Sequence, residues 1–95
     1  MFARITPYKM KAGSREATTA IMDGLKSRIM ELEGMTHFIN VIDGDGKGYV
    51  VALTTNPEMS EETAAKVKAL WGAFSEYLEM EPAAESYDVI ADWNN

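Results

Sequence analysis

The chain has 95 residues, of which 9 are Lys or Arg, 15 are Asp or Glu and 46% are hydrophobic, so its formal charge is −6. That length makes a single domain over 1–95, the hydrophobic content is too high for disorder, and the acidic balance disfavours a nucleic-acid partner. With no cysteine there is no disulfide, thiolate metal cluster or Cys nucleophile, which fits a reducing cytoplasm, and no apolar run approaches the ~20 residues of a membrane span.

Phe2 to Met10 is rich in β-compatible residues, with Pro7 tolerable near an edge or bulge. Gly13-Ser14 breaks the strand, and Ser14 is a good N-cap for a helix reaching Glu33, with Glu16 in its first turn. Ala17, Ile21, Leu25, Ile29 and Leu32 form the apolar stripe of that helix, and Gly34 reads as its C′ residue. Met35 to Asp43 and Gly48 to Thr55 read as two strands around a Gly44-Asp45-Gly46-Lys47 turn. Ser60-Glu61-Glu62 opens a second helix whose stripe is Val67, Leu70, Trp71, Phe74 and Leu78. Tyr87 to Trp93 alternates as a last strand.

This strand-helix-strand-strand-helix-strand order is the α+β, ferredoxin-like βαββαβ pattern: a four-stranded antiparallel sheet with two helices on one face. A four-residue turn would pair Val41 with Val50, Ile39 with Ala52 and His37 with Thr54. Phe38, Asn40, Ile42, Tyr49, Val51 and Leu53 would then share the other face. Both sets are largely apolar, yet two helices shelter only one face of a sheet. The expected partner for the other face is a second copy, in a homodimer.

Chemistry is less legible. Asp43-Gly44-Asp45-Gly46 resembles the start of a calcium loop, but Lys47 stands at its fifth position and Thr54 at its twelfth, where ligands are needed. His37 is the only histidine, so no His pair can hold zinc and no metal site is expected. Its ordinary pKa of ~6.5 suits proton transfer, although a lone strand histidine is more often structural. Asn40 is polar among apolar neighbours and either satisfies backbone or points at a ligand. Trp71 and Phe74 serve as core or as pocket walls, and Gly24 and Gly72 inside helices suggest close approach or room for a ligand. Arg4 and Tyr8 add polar tips to the first strand and fit its rim.

The helix over Ser14–Glu33, the Glu33-Gly34-Met35-Thr36-His37-Phe38 lead into strand two, and the aliphatic run Tyr49-Val50-Val51-Ala52-Leu53 together resemble the dimeric α+β barrel superfamily. Within it, the chain is similar to antibiotic biosynthesis monooxygenase-like proteins over essentially its whole length. The resemblance implies two sheets packed face to face across a two-fold axis, with a small-molecule ligand between the sheet and helices of each subunit. It implies a ligand site drawn from Asn40, Tyr49, Trp71 and Phe74, with His37 as a less direct participant, and it assigns no catalytic residue. Thr54-Thr55 stands where such proteins often carry Trp, and the helical haem-binding His has no counterpart, which argues against haem degradation. Two functions stay open. One is cofactor-independent oxygenation of a small aromatic or apolar molecule; the other is a non-catalytic dimeric module that binds a ligand or stabilises a partner.

Overall fold

A computed structural model describes all residues from Met1 to Asn95. The elements run β1 (Phe2–Lys9), α1 (Arg15–Met30), β2 (Met35–Ile42), β3 (Lys47–Thr54), α2 (Glu61–Gly72) and β4 (Glu85–Asp88). They form one antiparallel sheet in the order β2-β3-β1-β4. This is the ferredoxin-like arrangement expected from the order of elements. Both helices contribute to a cavity on one sheet face, and the opposite face carries no element of this chain.

The register of the central hairpin differs from expectation by one residue. Ile42 faces Gly48, Asn40 faces Val50 and Phe38 faces Ala52, so five residues, Asp43–Lys47, separate the innermost pair. The Asp43 carboxylate sets that turn by accepting from the backbone N–H of Asp45 at 2.8 Å and of Lys47 at 3.0 Å. These are the bonds of an Asx-type turn, and they occupy the oxygen that a calcium loop would present first. A one-residue shift transfers one strand's side chains to the other set. Phe38, Asn40 and Ile42 therefore share the helix side with Val50 and Ala52, whereas Ile39 and Val41 share the bare side with Tyr49, Val51 and Leu53. Two-sidedness survives the correction, but its membership changes.

Two glycines permit the hairpin to lie close to β1. Gly46 has φ +90°, and a Cβ there would come within 2.3 Å of the Met10 carbonyl oxygen, which a side chain cannot do. Gly48 sits beneath the Tyr8 ring, where a Cβ would lie 2.2 Å from the Val41 oxygen and 2.6 Å from the Tyr8 hydroxyl. Hydrogen bonds from Met10 N to Gly46 O (2.8 Å) and from Lys9 Nζ to Asp45 O (2.7 Å) fasten the end of β1 to the turn.

The helix ends show how local preference yields to context. Ser60 caps α2 by accepting from Thr63 N at 3.1 Å, as a Ser at N-cap should. Ser14 precedes α1 but makes no cap bond; its buried hydroxyl instead donates to the Lys11 carbonyl at 2.6 Å. The first helix stops at Met30, short of Glu33, and Gly34 lies beyond it with φ +77° in the turn into β2. Space is open around Gly24 and Gly72, so neither marks a close approach, and Gly72 is simply the last residue of α2.

The final strand is shorter and earlier than its alternation suggests. Phe2 pairs with Asp88, and Val89 N donates to Met1 O, so β1 offers no further partner for the residues that follow. Ile90 and Trp93 stand almost wholly exposed.

Candidate functional site

The helix side of the sheet is largely apolar but carries a row of polar residues on β1. Along β1, alternate residues Arg4, Thr6 and Tyr8 point toward the helices, joined from β2 by Asn40, and together with Phe38, Ile42, Val50 and Ala52 they floor a cavity of about 120 Å³. The walls come from Thr18 and Met22 of α1 and from Val67, Leu70, Trp71 and the following Phe74 of the α2 segment. Twenty residues line the cavity and 14 of them are hydrophobic, so its polar groups are few and placed. An apolar cavity of about 150 Å³ accommodates benzene. This one is smaller, and its size limits an occupant to at most a single small ring.

Its polar edge is a Tyr8–Asn40 pair, with Tyr8 buried and Asn40 exposed. Tyr8 is only 3% exposed, and its hydroxyl donates to Asn40 Oδ1 at 2.6 Å while lying 3.2 Å from the Val41 carbonyl. That bond fixes the amide's orientation. Asn40 Nδ2 then faces the Met22 sulfur at 3.1 Å, a weak acceptor that an oxygen-bearing ligand can replace. Burial pushes the Tyr8 phenol above its ordinary 10.0, with the Asn40 hydrogen bond and the nearby Arg15 charge offsetting part of that rise. Tyr8 is accordingly a neutral donor at physiological pH.

An aromatic wall completes the site. The Tyr8 and Trp71 centroids are 5.8 Å apart with planes tilted by 54°, and Trp71 meets Phe74 edge-on at 6.2 Å. These separations favour tilted aromatic contacts over stacking. A more open groove of about 670 Å³ shares Arg4, Thr6, Val67 and Trp71 with the cavity and is also lined by Glu79 and Glu81. Arg4 thus stands in the partition between the two.

Of the residues the sequence suggested for a ligand site, the structure brings Asn40, Trp71 and Phe74 into one cavity. Tyr49 is not among them. The five-residue turn places it on the bare face opposite Val41, 43% exposed. His37 is also exposed, faces Leu53 across the ladder and lies with Nδ1 3.2 Å from Thr36 Oγ1. Sequence reasoning set Arg4 and Tyr8 at the rim, but both line the cavity, and it missed Arg15 and Met22 altogether. The available signal was the alternation Arg4, Thr6, Tyr8 on a strand otherwise carrying Ala3, Ile5 and Pro7.

Comparison with known proteins identifies the architecture. No protein-family model matches the sequence, and no curated protein matches it. Solved structures do. A structure described as an antibiotic biosynthesis monooxygenase superposes with a TM-score of 0.74 over 96% of this chain and 100% of that one, at 9% identity. A candidate antibiotic biosynthesis monooxygenase from Bordetella bronchiseptica gives 0.78 at 10% identity, covering 95% of this chain and 97% of its own. A Nitrosomonas europaea protein of unknown function gives 0.72 at 15% identity, covering 99% and 93%. The chain therefore has the α+β fold of the antibiotic biosynthesis monooxygenase-like proteins over nearly its full length. At such identities the likeness is one of fold, and fold alone does not assign an activity.

Proposed function

We propose that this chain is a homodimeric small-molecule protein that binds a single-ring aromatic or similarly sized apolar compound between its helices and sheet, and that it oxygenates that compound without a cofactor. The observation that carries this reading is the Asn40 amide, itself exposed at the edge of an aromatic-walled recess of about 120 Å³ and held there by buried Tyr8 at 2.6 Å. Few convergent polar groups in an apolar recess are the usual composition of a ligand site.

Cofactor-independent oxygenation asks little of the protein, because an electron-rich substrate itself reduces dioxygen. For 1,4-hydroquinone, one oxygen atom forms a new C–O bond and the other leaves as water, giving hydroxyquinone; the substrate supplies all four electrons. Asn40 Nδ2, oriented by the Tyr8 hydroxyl bound to its Oδ1, would donate to a substrate oxygen while Trp71 and Phe74 exclude water from the ring. The test is dioxygen uptake by hydroquinone in air, with the product identified chromatographically. Enzyme-dependent uptake lost in Asn40→Ala supports the reading, and uptake no faster than spontaneous oxidation ends it.

A non-catalytic binding module is the second reading. It is favoured by the chemistry of the lining, where Tyr8 is the only side chain besides two arginines that titrates and burial makes it a poorer acid. Hydroquinone binding without turnover would select this reading.

Homodimerisation is supported by the bare sheet face. Ile39, Val41 and Tyr49 are each 43–50% exposed there, and no side chain in the protomer is fully buried. Covering a few hundred Å² of such surface stabilises by several kcal/mol at ~25 cal/mol/Å², before association costs.

A further inference from the structure

We propose that the cavity's ligand is an anion with an apolar body, and that Arg4 pairs with its negative group. This rests on the reading of the cavity as a binding site and adds the charge of what it binds. Acidic residues outnumber basic ones by 15 to 9 in the whole chain, yet the cavity is lined by Arg4 and Arg15 and by no Asp or Glu. The local balance is thus opposite to the global one, which would otherwise repel an anion.

Neither arginine forms an ion pair within the chain, although Glu79 and Glu81 line the second groove that Arg4 also borders. The chain forms two ion pairs, Lys9–Glu79 and Lys66–Glu62, and the arginines take part in neither. Across the ladder Arg4 faces Ala52 on β3 and Ser86 on β4. Asp88, two residues along β4 on the same side, makes no ion pair with it. Arg4 is half-buried, and its desolvation shows in a guanidinium pKa drawn below its ordinary value. A partly desolvated cation without a directly paired carboxylate is costly unless something else supplies the counter-charge. A planar guanidinium is also suited to binding a carboxylate or phenolate through two parallel N–H···O bonds.

Arg15 adds to the same field from the mouth. It is exposed and opens α1, where the helix dipole ordinarily favours an acid over a cation. Its charge is felt at the Tyr8 hydroxyl. Asn40 Nδ2 lines the same recess as a neutral donor, its Oδ1 being taken by the Tyr8 hydroxyl, so a ring carrying one anionic substituent and one oxygen acceptor meets complementary groups.

The test compares benzoate with its neutral isostere benzamide by isothermal titration calorimetry. Wild-type protein should bind benzoate about tenfold more tightly, the difference between a charge-assisted and a neutral hydrogen-bonded contact. Arg4→Gln should abolish that preference, Arg4→Lys should keep part of it, and Arg15→Gln should reduce it less because Arg15 is solvated. Far-ultraviolet circular dichroism checks that each variant is folded. Equal binding of the two probes by wild type would overturn the anionic ligand while leaving the cavity as a binding site. Absence of binding by both at millimolar concentration would overturn the cavity reading as well. A benzoate preference that persists in Arg4→Gln would remove Arg4 from the role.

Discussion

The two faces of the sheet depart from the usual rule for a small domain in opposite ways, one carrying polar residues among its apolar ones and the other leaving apolar residues uncovered. On the side covered by helices, β1 and β2 place Arg4, Thr6, Tyr8 and Asn40. On the uncovered side the same strands and β3 place Ile39, Val41, Tyr49 and Val51, with the first three among the most exposed large apolar residues of the chain. A sheet with one solvated face normally turns its polar residues outward. Under the proposed function, each face answers to something besides this protomer: the bare face to a second copy, and the covered face to a ligand that needs polar contacts.

Charge placed on the bare face should have the largest effect. Val41→Asp would bury a carboxylate in the proposed dimer contact, and the two-fold axis repeats the penalty, so at ~3 kcal/mol or more for each unpaired charge the dimer should separate. Sedimentation velocity at micromolar concentration would register monomer. Asn40→Asp puts the same charge one residue away on the other face and should leave the assembly intact. A monomeric wild type, or dissociation by both variants, would break the comparison.

On the covered face the largest structural sensitivity is at Gly48. Gly48→Ala drives a Cβ into the Val41 carbonyl and the Tyr8 hydroxyl, and overpacking against backbone should cost about 3 kcal/mol in urea unfolding. Stability equal to wild type would show that β2 and β3 can part locally. Tyr8→Phe is milder. It removes the bond to Asn40 but leaves the partner near solvent, so a loss of about 1 kcal/mol is expected, together with a larger proportional loss of hydroquinone binding as Asn40 becomes free to rotate.

The smallest effect is one of pH. Because burial raises the Tyr8 pKa above 10.0, the folded state holds this proton more tightly than the unfolded chain. The resulting stability is fully present below pH 10.0 and declines as pH rises through the folded value. Urea titrations between neutral pH and the alkaline range should show that decline in wild type, with the Tyr8 contribution missing from Tyr8→Phe.

What could be read directly from the chain was the sequence of elements and the existence of two apolar-rich faces. Ser60 and its first-turn acids mark α2, the Val67–Leu70–Trp71–Phe74 stripe marks its inner side, and alternation marks the strands, because these signals depend on neighbours within one or two turns. The same local logic brought Asn40, Trp71 and Phe74 forward as site residues. Which residues share a face was settled only by tertiary structure. Strand periodicity is two, so parity across the hairpin hangs on whether the loop has four or five residues, and the Asp43 carboxylate made it five. That one residue moved Tyr49 away from Asn40. Likewise, Tyr8 reads as a rim residue from sequence, whereas the absence of a Cβ at Gly48, 40 positions along the chain, gives its hydroxyl the space to reach Asn40. Close approach between distant segments has no local signature, and it is this approach that builds the cavity.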